Sequence, residues 1–280
     1  MNKRKLPLLE WNDVYLMDTN LGMKSLPPES VDVVYADPPY NIGVDKWDRI
    51  DDFTEFNSQW ISNAVRIMKP GGQLFIWGST YNTYLAEITV WIKSRFPTIQ
   101  FKQQFFWCKP ASRPPPMNQY ARKAETVLWF VKTGAPYTFN NNYVMSNIVG
   151  PCLSNISRDS GALTELRSGI HQTIKPQMLA EQFFTIHTNP GDKIVIPFAG
   201  SGSECFTALK MGRNFLSFEL NPKYVSHIKE ILGNLKDIIM ESKREHVEEP
   251  VLRKSKRLRT SGGRKRKIRK KSAVRKRRSK

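Results

Sequence analysis

Four short stretches carry side chains whose types and spacing could do chemistry. In Asp37-Pro38-Pro39-Tyr40 two prolines separate a carboxylate from a phenol ring. The prolines remove backbone donors and hold an extended, rigid turn, so acceptor and ring are fixed together. In Pro197-Phe198-Ala199-Gly200-Ser201-Gly202-Ser203 small residues let a ligand approach the backbone. The helix expected after it offers an N-terminus that favours an anionic group. Glu219 lies 17 residues beyond Gly202, where a carboxylate can accept two hydrogen bonds from a ribose diol. Asp18 could meet the exocyclic amine of an adenine ring. Each stretch alone also has an ordinary reading: a proline turn, a glycine turn, a solvated strand-end acid, and a helix cap. A dinucleotide fingerprint would need a third glycine at Cys205, and no Lys-Ser/Thr pair makes a P-loop, so NAD and ATP fit poorly.

The elements that must position these residues follow from the apolar pattern. Seven strands are expected at Val14–Met17, Val31–Ala36, Gln73–Trp77, Gln104–Cys108, Val127–Val131, Lys193–Ile196 and Phe215–Phe218. Several are continuous apolar runs, as in a parallel sheet covered on both faces. Helices are expected at Phe53–Met68, Asn82–Arg95, Pro176–His187, Glu204–Met211 and Pro222–Glu241, the first stopped by Lys69-Pro70-Gly71-Gly72. Alternating strands and helices indicate a doubly wound α/β domain. All four chemical stretches then sit at C-terminal strand ends, where such sheets bind ligands. Residues 132–170, rich in Asn, Ser, Gly and Pro, break the rhythm and read as a loop-rich insertion.

Composition narrows the partners. The chain has 280 residues and a formal net charge of +19, but the charge is not spread evenly. Residues 251–280 hold 17 of the 44 Lys and Arg and no acid. The other 250 residues hold 27 basic and 25 acidic groups, a net of +2. The organisation expected is a folded body over 1–240, a linker over 241–250 and a disordered basic tail over 251–280. No apolar run is long enough to span a membrane, and Leu6-Pro7-Leu8-Leu9 is cut off by Glu10, which argues against a signal peptide. Cys108, Cys152 and Cys205 form no C-x-x-C pair and the four histidines show no metal spacing, so a reducing intracellular location and no structural metal are expected. For a eukaryotic host the location would be nuclear or DNA-associated, viral included.

Taken in order along the chain, these residues resemble the β group of amino-DNA methyltransferases, the permuted class in which the catalytic motif precedes the cofactor glycine loop. The resemblance runs from about Asp18 to Leu232 and rests on five ordered matches. Asp37-Pro38-Pro39-Tyr40-Asn41-Ile42-Gly43 with Asp45-Lys46-Trp47-Asp48 looks like the catalytic segment. Leu74–Gly78 looks like the following strand, and Trp107–Pro110 with Glu125–Trp129 like the next hairpin. His171–Pro176 looks like the segment that contacts the methionine part of the cofactor. The glycine loop and Glu219 complete the set. Ala124 stands where the family often has His, and Met17 where it often has Gly; both departures bear on local cofactor contacts.

The resemblance implies a Rossmann-like methyltransferase fold with a mostly parallel seven-stranded sheet, helices on both faces and a small insertion. It implies S-adenosyl-L-methionine as cofactor, no metal, and double-stranded DNA as partner, with a homodimer and a cognate restriction endonuclease also admissible. Asp37, Pro38, Pro39 and Tyr40 take the catalytic roles. Asp18, Asp37, Thr173, Lys175, Phe198, Ala199, Gly200, Ser201, Gly202 and Glu219 take the cofactor. Asp37 and the Pro38 carbonyl would accept the two N–H groups of an exocyclic amine, and Tyr40 would stack on a flipped base. An acid at position 37 favours adenine N6, because cytosine-N4 relatives more often carry Ser there; cytosine N4 is the alternative within the class. From another class, a DNA-compacting or chromatin-like protein with an inactive methyltransferase fold would also explain the tail. The short insertion at 132–170 implies a short target sequence.

Overall fold

A computed structural model describes residues 8–43, 46–80, 83–108, 120, 124–147, 153 and 175–259, the side chains of 146, 147 and 242–259 excepted. The chain divides into two units, Met1–Leu235 and Lys236–Lys280. In the first unit seven strands form one sheet: β1 (Asp13–Leu16), β2 (Val31–Ala36), β3 (Met68–Ser79), β4 (Ile99–Cys108), β5 (Ala124–Lys132), β6 (Lys193–Ile196) and β7 (Asn214–Glu219). The order across the sheet is β1-β7-β6-β2-β3-β5-β4. Neighbours from β1 to β3 are parallel, and β5 runs antiparallel to both β3 and β4.

Both faces of the sheet's centre are covered, and this is why β2, β6 and the middle of β3 and β5 read as apolar runs, whereas the edge strand β4 is largely exposed. Alternate residues point to opposite sides. Val33, Tyr35, Phe75, Trp77, Ile194 and Ile196 pack with Phe183 and Phe184 of α5 (Gln177–His187), Cys205 and Phe206 of α6 (Ser203–Lys210), and Ile228 of α7 (Pro222–Arg259). Val34, Ala36, Leu74, Ile76, Val195 and Phe218 pack on the other face with Met23 of α1 (Thr19–Ser25), Trp60 and Ile61 of α2 (Phe53–Ile67), and Leu85 and Ile88 of α3 (Tyr84–Arg95). Each fully buried phenylalanine of these layers contributes about 1.5–3 kcal/mol.

All seven expected strands form, most of them longer than the apolar run alone. β3 begins at Met68, the last residue of the expected helix, and runs through the expected stop, where Gly71 turns the chain with φ +78°. A register shift against β2 follows, with Met68 opposite Val31 and Gln73 opposite Val33.

Two helices arise where none was expected. α1 is short and has no apolar period, but Gly22 lets it lie directly on β7: a Cβ there would sit 2.2 Å from the Phe218 ring. α4 (Asn141–Asn147) lies in the loop-rich insertion, and Asn140 just before it donates to the Thr185 carbonyl at 2.6 Å, docking the segment on α5. Most of the rest of the insertion lies outside the described residues. α7 continues through 241–250, read from sequence as a linker, to Arg259; Glu, Lys and Arg in this stretch have high helix propensity. Residues 260–280 lie outside the described residues. Among the described residues no helix is long and apolar enough to cross a membrane.

Candidate active site

Four adjacent parallel strands place the four chemical stretches on one edge. Asp18 follows β1, Glu219 ends β7, the glycine loop follows β6 and Asp37 follows β2. Leu16 is paired with Glu219, and the Ala199 N–H donates to the Phe218 carbonyl at 2.9 Å. The antiparallel strand β5 starts at the same edge, because Ser79 at the end of β3 pairs with Glu125. Glu125 thus joins the site from the opposite chain direction.

Asp37, Tyr40, Glu125 and Lys175 form one cluster. The Tyr40 hydroxyl donates to Asp37 Oδ1 at 2.6 Å and lies 3.3 Å from Glu125 Oε2. Lys175, just before α5, places its ammonium against Asp37 Oδ2, 3.1 Å from the Tyr40 hydroxyl and 3.4 Å from Glu125 Oε2. The same ammonium lies over the Trp77 ring, 4.7 Å from its centroid, within reach of a cation–π contact. The Lys175 side chain is only 7% exposed. Burial opposes its charge, but Asp37 and Glu125 outweigh that and hold its pKa above the ordinary value. Burial first, then the charges of Asp37 and Glu125, raises the Tyr40 pKa, so the ring remains a neutral phenol.

The glycine loop is built more tightly than its sequence suggests. Gly200 has φ +51° and Gly202 φ +81°. A Cβ on Gly202 would sit 2.7 Å from Ile228, so this glycine serves packing against α7. Ala199 is buried, and Phe198 packs edge-on against Trp60 with ring centroids 5.6 Å apart. Ser201 lies in the turn, half-buried. The Glu219 carboxylate organises this loop. Oε2 accepts from the Gly200 N–H at 3.0 Å, and Oε1 from Leu220 and Asn221 at 2.9 and 2.8 Å. Burial raises the Glu219 pKa against these three bonds. A carboxylate has about four acceptor positions, so Oε2 keeps capacity for one ribose hydroxyl. The loop and Glu219 therefore fit a nucleoside ligand.

Asp18 caps α1, accepting from Asn20 and Leu21 N–H at 3.0 and 3.2 Å through Oδ1. Pro38 is buried and Pro39 half-buried at the turn. Thr173 lies outside the described residues. Three acids were given no role from sequence, although Asp48 and Glu125 lie in segments that carry the resemblance. Glu125, second in β5, stands just before the buried apolar run Val127–Val131, the signal that could have marked it. Glu204, in the first turn of α6, is buried and takes a 2.8 Å bond from Ser203 Oγ; burial first and the Asp37 charge second push its carboxyl above the usual range. Asp48 is buried beside Tyr40.

Comparison with known proteins gives consistent matches. A family model described as DNA methylase matches residues 31–230. The Type II methyltransferase M2.DpnII of Streptococcus pneumoniae is 30% identical over 246 residues, covering 80% of this chain and 88% of the relative. The DNA adenine methyltransferase YhdJ of Escherichia coli K12 is 27% identical over 237 residues, covering 74% of this chain and 78% of the relative. Among solved structures, the M1.HpyAVI–SAM complex superposes with a TM-score of 0.60 at 25% identity, covering 78% of this chain and 98% of that one.

Proposed function

The chain belongs to the DNA methylase family, and on that premise we propose that it is a site-specific DNA methyltransferase acting on N6 of a flipped adenine, with S-adenosylmethionine as methyl donor. One observation carries the reading: Asp37 and Tyr40 stand at the end of β2, next to a glycine loop and Glu219 on the adjacent strand ends β6 and β7. The relative named as a DNA adenine methyltransferase and the acid at position 37 both support adenine. The Asp37 motif precedes the glycine loop in the chain, which supports the β group.

Bound S-adenosylmethionine supplies an electrophilic methyl on a sulfonium. Glu219 Oε2 would accept a ribose hydroxyl, the glycine loop would admit the ligand close to the backbone, and Lys175 would serve the carboxylate of the methionine end. Phe198, Ala199 and Ser201 would line the same ligand surface, and Asp18, after β1 and beside the Glu219 strand end, would meet the adenine ring. Phe198 acts from its packed position on Trp60.

An exocyclic amine is a poor nucleophile because its lone pair is delocalised into the ring. Asp37 accepts one N–H and the Pro38 carbonyl the other, which exposes the lone pair and stabilises positive charge developing on nitrogen. Lys175 holds the Asp37 carboxylate through Oδ2 in this half-buried setting. Tyr40, half-buried and held by its hydroxyl, leaves part of its ring for the flipped base to stack on.

Double-stranded DNA is the partner. Residues 132–170 read the target, and the 17 basic residues of 251–280 bind phosphates without sequence preference. A homodimer belongs to this reading, as does a cognate endonuclease, which the Type II label of M2.DpnII supports. The test is nucleoside mass spectrometry after incubation with methyl-labelled cofactor and unmethylated DNA. The expected product is N6-methyladenine; N4-methylcytosine alone would move the protein to the other branch of the family.

A further inference from the structure

Beside the catalytic turn, a buried acid holds three consecutive backbone N–H groups. Asp48 ends a 3-10 turn, Lys46–Asp48, and is 1% exposed. Its Oδ1 accepts from Tyr40 N–H at 2.7 Å and Asn41 N–H at 2.8 Å; its Oδ2 accepts from Ile42 N–H at 2.8 Å. Asn41 sits in the left-handed region with φ +54°, which turns these N–H groups toward one point. A second stitch joins the same two segments: Asn41 Oδ1 accepts from Ile50 N–H at 3.1 Å, and Asn41 Nδ2 donates to the Ile50 carbonyl at 3.2 Å. Tyr40 is therefore tied at both ends, its N–H to Asp48 and its hydroxyl to Asp37.

We propose that Asp48 is a positioning residue for methyl transfer: it fixes the loop carrying Tyr40 and, through the Tyr40 hydroxyl, the Asp37 carboxylate. The proposal rests on the methyltransferase reading above. The chemistry of the clamp requires an acid. A carboxylate offers acceptor capacity on both oxygens, whereas an amide offers one oxygen and turns an NH2 toward the remaining N–H. Three N–H groups held at once by one side chain leave the loop little freedom, and a misplacement of about 1 Å costs on the order of 100-fold in rate.

The experiment uses the full chain with unmethylated DNA and S-adenosylmethionine. Steady-state kinetics are measured alongside cofactor affinity by calorimetry. For Asp48→Asn, kcat is expected to fall about tenfold or more, part of the loss that a 1 Å shift brings. Cofactor Kd should stay within about twofold, because Gly200 and Glu219 lie on other strands. Asn41→Gly keeps the left-handed backbone and removes the second stitch; its kcat should fall too, with Kd unchanged. A folded Asp48→Asn with wild-type kcat overturns the proposal. So does a loss of kcat matched by an equal loss of cofactor affinity, which would mark general damage. If Asp48→Asn does not fold, Asn41→Gly decides, and wild-type kcat there overturns the proposal. An inactive wild-type chain would instead overturn the methyltransferase reading beneath it.

Discussion

The Tyr40 hydroxyl donates a 2.6 Å hydrogen bond to Oδ1 of Asp37, three residues before it. The two side chains of the proline turn thus act as one unit, and the Lys175 ammonium closes the unit from the other carboxylate oxygen. The carboxylate proposed to accept the target amine is held by a neutral donor on one side and a cation on the other, while its side chain keeps 28% exposure. Exposure of that order leaves room for a substrate N–H.

Lys175→Met removes the cation between Asp37 and Glu125. Asp37 Oδ2 then loses the donor that fixes the carboxylate in place. kcat should fall by about tenfold or more, part of the loss that a displacement of about 1 Å brings. Wild-type kcat in the folded variant would show that Lys175 does not support Asp37.

Glu219→Ala leaves the Gly200, Leu220 and Asn221 N–H groups without their carboxylate and removes the ribose acceptor. Cofactor affinity should fall roughly ten- to hundredfold, the equivalent of about 1–3 kcal/mol. Calorimetry on the folded variant checks this, and unchanged affinity would reduce the glycine loop to an ordinary turn.

His187 sets a pH limit on stability. Its ring lies among Phe75, Trp129 and Phe139, with Nδ1 3.0 Å from Gln73 Oε1. Burial lowers its pKa from 6.5 to about 3. The folded state therefore keeps the ring neutral, and between pH 6.5 and about 3 only the unfolded chain takes up the proton. Stability should fall with pH across that window by up to about 1.4 kcal/mol per unit. Urea unfolding of the wild type and His187→Gln at several pH values checks it: the variant should lose this component of the slope.

Deleting 251–280 should weaken DNA binding and flatten its salt dependence, because 17 cations no longer displace counterions. The methylated motif should stay the same, since the segment carries no aromatic residue to stack on bases. A truncated chain with the full salt slope, or with a new motif, would contradict this division of labour.

The centre of the sheet was legible because burial on both faces turns its strands into apolar runs, as in Val31–Ala36 and Lys193–Ile196. The gathering of Asp37, the glycine loop and Glu219 at one edge was legible because each follows or ends one of these strands. α1 was not, because its place depends on Gly22 meeting Phe218 and on no pattern of its own. The ties that complete the site were hidden for another reason. Lys175 reaches Asp37 across 138 residues, and Glu125 meets Tyr40 across 85, only because β5 runs antiparallel. Local spacing carries no trace of such pairings.

The most direct measurement maps modified bases in DNA from cells expressing the full chain or its Asp37→Ala variant, both confirmed to be folded. The expected result is N6-methyladenine at one short motif with the wild type. The variant should show none, a loss at least on the order of the 10²–10³ that removing one preorganised group costs. Its cofactor affinity should be largely retained, because the proposal gives Asp37 the amine and Glu219 the ribose. Methylation persisting in Asp37→Ala would contradict the account, as would 5-methylcytosine in place of N6-methyladenine.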